Sequence, residues 1–187
     1  MVTPGRPLIA GIVTDHGSGV DPLSLVLAYK QTLLLAALYD PGSGLVLWAL
    51  DGAPKIGVGK TPMLAIASDY QESKNLDQAG NVLPNSVFRS FPLRAVTRPT
   101  VTWLLPRLRA CAAGGLFALA GASHGVRSVK FFDGKHLIAT EKRGSEGLFT
   151  TPWRTRKARA GRHVLRAFVT DRRGATASAT RAVRVCH

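Results

Sequence analysis

Acidic side chains are scarce in this chain, and the shortage is concentrated in its second half. The 187 residues include 25 Lys and Arg but only 11 Asp and Glu, which gives a formal net charge of +14. Residues 1–98 carry eight basic and seven acidic side chains, whereas residues 99–187 carry 17 basic and four acidic ones. This asymmetry predicts two units with different surfaces, of which the second attracts polyanions. The alternative is a solvated basic face with no specific ligand.

Long hydrophobic runs are also missing. The apolar stretch 103–120 is interrupted by Pro106, Arg107 and Arg109, so we expect no membrane span. The opening residues, MVTPGRPLIAG, lack the charged start and apolar run of a signal peptide. This leaves a cytoplasmic protein or a piece of a longer one, and we favour the second. With 45% hydrophobic residues the chain has enough apolar material for a packed core.

No pattern in the sequence points to catalysis, a metal ion or a cofactor. A nucleophile with a paired base is not recognisable, and the segment Gly57–Thr61 resembles a phosphate-binding loop only in part, because Pro54 stands where its first glycine belongs. Asp15, Asp21 and Asp69 lie near predicted loops, where turn and cap roles are favoured over calcium binding. We therefore expect a protein that is not an enzyme. The histidines lack zinc-ligand spacing, and they are His16, His124, His136, His163 and His187.

An internal repeat organises the chain. Gly59–Asp69 aligns with Gly161–Asp171, since each reads as a small turn, a basic residue, a strand, a hydroxyl residue and an aspartate. A weaker match upstream pairs Gly19–Leu27 with Gly125–Phe131 in the same order. The offsets of 102 to 106 residues are the size of one β-sandwich. We predict two tandem sandwich domains, residues 1–96 and 97–187, with the linker inside 88–99.

The local patterns are typical of strands. In the stretch 164–169, Leu165, Ala167 and Val169 form a wholly apolar set that predicts the core face. Asp133-Gly134 is a hairpin signal between two apolar runs. The stretch 23–39 suits either an amphipathic helix or two strands, and we favour two strands with a turn near Lys30-Gln31. Pro62, at the start of its predicted strand, suggests an edge position.

These motifs resemble bacterial immunoglobulin-like modules. In the second unit, Ser128–Lys135, Thr151–Trp153, Gly161–Ala167 and Thr170-Asp171 follow in order a family pattern of roughly V-x-F-x-D-G, T-x-W, G-x-H-x-L-x-A and D-x-x-G. Leu165 falls one place earlier than in that pattern. In the first unit, residues 13–22 and 67–70 are similar to the pattern's opening and strand end. The resemblance implies an all-β fold of two immunoglobulin-like β-sandwiches, in a secreted or cell-surface bacterial protein with a non-catalytic accessory, spacer or adhesive role.

The two cysteines, Cys111 and Cys186, both fall in the second unit. If Cys111 lies near its first strand and Cys186 in its last, a disulfide ties the ends of the domain together. Closing a loop of about 75 residues stabilises the fold by roughly 4 kcal/mol in the chain-entropy view. Such a bridge indicates an oxidising compartment. The alternative is a pair of free, buried thiols in a cytoplasmic protein.

The segment 154–162 is the best candidate for a ligand site. Five basic residues and no acidic one fall in nine positions, and an acidic cell-wall polymer or glycan is the expected partner, beside other domains of the parent protein. Trp153 is predicted to lie in the core, the alternative being an exposed platform for a glycan. Nucleic acid is a less favoured partner, because the sequence has no recognition helix or ladder of stacking aromatics. The candidate polyanion-binding residues are Arg154, Arg156, Lys157, Arg159 and Arg162.

Overall fold

The chain is built from β-strands throughout the described residues. The structure, a computed structural model, describes residues 1–70, 79–80, 84–104, 111–112 and 114–186, apart from the side chain of residue 157. Fourteen strands in four antiparallel sheets and two short 3-10 turns, Pro22–Ser24 and Thr155–Lys157, make up its regular structure. No helix in this part of the chain is long and apolar enough to cross a membrane.

Seven strands form the first unit. A three-stranded sheet with the order β1-β5-β4 faces a four-stranded sheet with the order β3-β2-β6-β7. Between them lie Leu25, Leu27 and Tyr29, none more than 1% exposed, with Val46 and Trp48 from the opposite sheet. The polar ends of the two aromatics are bonded, Tyr29 to the carbonyl of Lys55 and Trp48 to that of Leu25. The strands are β1 (Ile9–Ile12), β2 (Val26–Tyr29), β3 (Thr32–Leu35), β4 (Leu38–Asp40), β5 (Leu45–Trp48), β6 (Gly59–Ser68) and β7 (Ser86–Ala95).

The second unit repeats the four-stranded sheet of the first and has a different third strand in its three-stranded sheet. Its sheets have the orders β12-β9-β8 and β11-β10-β13-β14. Leu165, Ala167 and Val169 are fully buried along one face of β13, which confirms the predicted core face. Phe131 packs beside Trp103 from the other sheet, with 5.6 Å between ring centroids. The strands are β8 (Thr100–Trp103), β9 (Gly115–Gly121), β10 (Val126–Asp133), β11 (His136–Glu141), β12 (Leu148–Pro152), β13 (Gly161–Asp171) and β14 (Thr176–Val185).

The internal repeat corresponds to equivalent strands. β6 and β13 are each the third strand of the four-stranded sheet, and each begins at a glycine with positive φ, 116° at Gly59 and 128° at Gly161. β2 and β10 occupy the second position. The isolated bridge of Val20 with Asp69 also has a counterpart, since Val126, the first residue of β10, pairs with Asp171. The chain is therefore two tandem immunoglobulin-like β-sandwiches.

The region 23–39 folds as strands, as predicted. β2 and β3 are joined by a tight turn at Lys30-Gln31, where Lys30 adopts φ 53°. The helical alternative is wrong because the buried Leu27 and Tyr29 alternate with the partly buried Val26 and Ala28 across a sheet, with period two. β4 adds a third strand to this stretch.

Pro62 does not lie in an edge strand, and that interpretation is wrong. β6 is central, with β2 on one side and β7 on the other. Only Leu64–Ile66 of β6 faces β2, so Pro62 lies beyond this pairing and its missing N–H removes no bond to β2. A proline is tolerated in this central strand because Pro62 lies outside the part of β6 that pairs with β2.

The predicted linker region is largely strand. β7 continues to Ala95 and β8 begins at Thr100, so Val96–Pro99 connects the two. Two separate hydrophobic clusters lie on either side of this connection. The domain division at residues 96 and 97 remains a prediction, and it falls in this connection.

Cys111 and Cys186 form the predicted disulfide. Their Cα atoms are 5.5 Å apart, and 75 residues separate them in sequence. Cys111 forms a parallel bridge with Arg184, next to the end of β14, and the Ala112 N–H donates to the Arg184 carbonyl. The bond thus ties the segment after β8 to the last strand of the unit.

Candidate polyanion-binding face

The predicted basic residues lie on and beside one connection of the second unit. Arg154, Arg156 and Arg159 are exposed on the segment between β12 and β13, which contains the 3-10 turn Thr155–Lys157. Arg162 is exposed near the start of β13. The side chain of Lys157 lies outside the described part of the structure. We call the segment 154–160 the basic loop.

His163 holds the end of the basic loop against the sheet. Its Nδ1 lies 2.6 Å from the carboxylate of Asp133, and its Nε2 lies 2.6 Å from the Arg159 carbonyl oxygen. The ring also meets Trp153 edge to face, with 5.7 Å between centroids. Trp153, at 6% exposure, is buried in the core as predicted, so the exposed-platform alternative is wrong. His163 therefore fixes the basic loop at both of its ends, through Arg159 and Trp153.

This arrangement favours the charged form of His163. The Arg159 carbonyl can only accept a hydrogen bond, and the carboxylate of Asp133 accepts one as well, so the charged ring, with a proton on each nitrogen, satisfies both acceptors. The bond to Arg159 and then the bond to Asp133 raise the pKa of His163 above 6.5, while partial burial acts in the opposite direction. The contacts that attach the basic loop are therefore most favourable with the charged form of His163.

The stability of the second unit should depend on the protonation of His163. Because the pKa of His163 is higher in the folded state, its contribution is complete below 6.5 and is lost as pH rises through the folded value. We expect the free energy of unfolding to fall over this window in the wild type but not in His163→Gln. Urea titrations at a series of pH values measure it, and parallel curves for the two proteins would contradict it.

The four-stranded sheet extends the basic surface beyond the loop. Along the outward face of β13, Arg162, Val164 and Arg166 alternate with the buried core residues, and all three are exposed. Antiparallel pairing places Arg162 directly opposite Arg184 of β14. The guanidinium of Arg166 lies 4.7 Å from the centroid of the Phe132 ring, and Lys130 is exposed on the same strand as Phe132. We call the outward residues Lys130, Arg162, Arg166 and Arg184 the basic sheet face.

Little negative charge balances this surface. Of the four acidic residues in the second unit, Asp171 is buried, with its carboxylate bonded to the N–H groups of Arg173 and Ala175. Asp133 is bound to His163, Glu141 stands opposite the inward-facing Val129 at the end of β11, and Glu146 is exposed between β11 and β12. Directly opposed like charges destabilise a strand pair. An anionic group between Arg162 and Arg184 would relieve that repulsion and bind two guanidinium forks.

Sequence reasoning missed three members of this surface: Lys130, Arg166 and Arg184. The alternation of Arg162, Val164 and Arg166 with apolar residues already placed two arginines on one face, about 13 Å apart along a strand. That signal was available from the sequence. The opposition of Arg162 and Arg184 was not, because it depends on the register of a hairpin whose turn is Arg172–Ala175.

The equivalent face of the first unit keeps one opposed basic pair, Lys60 and Arg94, but is apolar farther along its strands. Leu35, Val26, Ile66 and Phe88 stand side by side across its four strands, and Leu35 and Phe88 are 66% and 65% exposed. The two sandwiches therefore share one plan but have different surfaces. The difference in net charge between the two halves of the sequence predicts a basic surface on the second unit, but it does not predict the apolar surface of the first unit.

The aspartates near loops are occupied by local bonds. The carboxylate of Asp15 accepts the N–H groups of Gly17 and Gly19, and these bonds lower its pKa. Asp21 caps the turn Pro22–Ser24, and the carboxylate of Asp69 accepts two bonds from Asn85. Turn and cap roles are thus confirmed. Within the described residues, no group of three or more His, Cys, Asp or Glu is placed to hold a metal ion.

Comparisons with known proteins add a structural likeness. No protein-family model matches the chain, and no curated protein is similar enough to count as a relative. A solved structure of Clostridium thermocellum CbhA fibronectin(III)-like modules aligns with 99% of this chain and 87% of its own, at 17% identity and a TM-score of 0.40. At this TM-score, the fold assignment stands on the strand order and the two cores described above.

Proposed function

We propose that this chain is a non-catalytic accessory module of a secreted or cell-surface bacterial protein, in which two immunoglobulin-like sandwiches space or attach the rest of the protein. Two features support the proposal. Paired sandwiches with separate cores form a compact spacer. A disulfide between Cys111 and Cys186 is typical of proteins that fold in an oxidising compartment.

A second function follows from one observation, the opposition of Arg162 and Arg184 at the centre of an exposed basic surface. We propose that the basic loop and the basic sheet face bind a linear polyanion, an acidic cell-wall polymer or an acidic glycan. Such a ligand carries anionic groups at regular intervals, and arginine forks bind carboxylate and phosphate with two hydrogen bonds each. Attachment then comes from many weak ionic contacts.

Binding of two acidic polymers tests this function. We expect the full chain to bind polygalacturonate and polyphosphate but not neutral dextran, with the Kd rising about tenfold or more between 50 and 200 mM salt. The variant in which Arg154, Arg156, Arg159 and Arg162 are all replaced by glutamine should lose most of this affinity. Isothermal titration calorimetry over a salt series provides both measurements.

A matched control separates site binding from net charge. Glutamine at Lys55, Lys60, Arg94 and Arg98 removes the same four charges from exposed positions outside the basic loop and the basic sheet face, including the opposed pair Lys60 and Arg94 of the first unit. This control should bind like the wild type. Equal losses in both variants would show that overall charge, and not this face, governs the interaction. Binding of dextran as tight as that of the acidic polymers would contradict the ionic mechanism.

A further inference from the structure

The three-stranded sheets of the two units differ in their third strand, because β4 pairs with β5 in the first unit whereas β8 pairs with β9 in the second. In the second unit, β8 pairs with the outer edge of β9 and closes that side of the sandwich. Its Trp103 reaches between the sheets, contacts Phe131 and donates its indole N–H to the Ala179 carbonyl at 3.0 Å. In the first unit, β1 occupies the position of β9, and among the described residues no strand pairs with its outer edge.

A groove lies where that strand would be. It has a volume of about 610 Å³ and runs between β1 on one wall and β7 on the other, with Trp48 and Ala65 among its lining residues. The strand registers make Arg89 the counterpart of Ala179, since Arg89 stands opposite Ala65 as Ala179 stands opposite Ala167. The groove therefore occupies the position that Trp103 fills in the second unit.

The open edge of β1 presents backbone groups to the groove. The Val13 N–H donates to the Gly44 carbonyl, so alternate residues along β1, Gly11 and Ile9, also point toward β5. The N–H and C=O groups of Ala10 and Ile12 consequently point away from β5, toward the unpaired edge. An exposed strand edge of this kind is a template for one more strand.

We propose that this groove is a strand-addition site, which binds an extended segment of a partner protein along β1. The internal repeat indicates the chemistry of that segment, because β8 is the strand that fills the same position in the second unit. The partner segment therefore has a large aromatic or aliphatic side chain directed between the sheets, as Trp103 of β8 is. An acidic residue complements Arg89, since the aspartates on the groove wall, Asp15 and Asp69, already accept local hydrogen bonds. The site does not depend on the basic face of the second unit.

A peptide with the sequence of residues 99–104, PTVTWL, is the probe. Added to the ¹⁵N-labelled full chain, it should shift the amide signals of Ala10 and Ile12 and slow their hydrogen exchange by about tenfold or more. The amides of β9, which β8 already covers, should not respond. The same peptide with serine in place of tryptophan, PTVTSL, should bind at least tenfold more weakly, because it cannot fill the groove.

Proline in β1 tests the backbone contacts. Ala10→Pro removes an N–H that points away from β5, so the pairing of β1 with β5 persists while peptide binding is lost. Ala10→Val keeps the N–H and should bind like the wild type, and Ile12→Pro repeats the test at a second donor should Ala10→Pro fail to fold. Peptide binding unchanged by these prolines would overturn the proposal. Three other results would also overturn it. They are slow hydrogen exchange of the Ala10 and Ile12 amides in the free protein, self-association of the protein through β1, and no detectable binding at millimolar peptide concentration.

Discussion

Loss of the Cys111–Cys186 disulfide is expected to lower the free energy of unfolding of the second unit by about 4 kcal/mol. The bond closes a loop that spans most of the unit, because the two cysteines are separated by 75 residues. Without the disulfide the unfolded chain gains conformational entropy, because the loop is no longer closed. The segment at Cys111 is then held to Arg184 by backbone hydrogen bonds alone. For a domain of this size, such a change lowers Tm by about 15–30 °C.

Calorimetry of the oxidised chain and of the double variant Cys111→Ser, Cys186→Ser measures this effect. Both cysteines of the chain are in the second unit, so the transition of the first unit is an internal control and should not move. A Tm within a few degrees of the oxidised protein would show that the bond contributes little. Two free thiols in unreduced protein from its natural source would contradict the exported setting proposed above.

Leu165→Ala is expected to destabilise the second unit by about 2–5 kcal/mol and to leave the first unit unchanged. Leu165 is fully buried between the sheets, and its neighbours along the strand, Ala167 and Val169, are small, so they cannot fill the space that it leaves. The two units have separate hydrophobic clusters, so the loss should remain in one of them. Thermal unfolding followed by tryptophan fluorescence reports the two transitions.

Two matched variants accompany this measurement. Met63, 3% exposed, is the counterpart of Leu165 in β6, and Met63→Ala should reverse the pattern by destabilising the first unit alone. Val164 is 46% exposed on the outward face of β13, and Val164→Ala should change stability by less than about 1 kcal/mol. A single transition that moves equally in all variants would contradict two independently folding units and the predicted division at residues 96 and 97.

The strands carrying the repeat were the most predictable part of the molecule. Leu165, Ala167 and Val169 form a wholly apolar set, whereas the alternate set contains Arg166, and this difference determines which face of β13 is buried. The glycine that begins each repeat marks the same backbone conformation in both units. The disulfide followed from the positions of two cysteines near the ends of one domain. Each of these signals is local, or repeats along the sequence.

Features that depend on pairing between distant strands were not predictable. The opposition of Arg162 and Arg184, and the seat of Trp103 beside Phe131, arise from strand register and sheet order. The interpretation of Pro62 failed for the same reason, because the sequence does not show where along β6 the pairing with β2 ends. The open edge of β1 becomes visible only when the two sandwiches are compared strand by strand.

The most direct test of the account is to map where an acidic polymer contacts the chain. Short polyphosphate, titrated into the ¹⁵N-labelled protein at low salt, should shift the backbone amides of the basic loop and of β13 and β14 around Arg162 and Arg184. The first unit, with nearly balanced charge, should show no comparable change. Shifts confined to the second unit on this face are the predicted result, and shifts distributed over both units, or concentrated in the first, would contradict it.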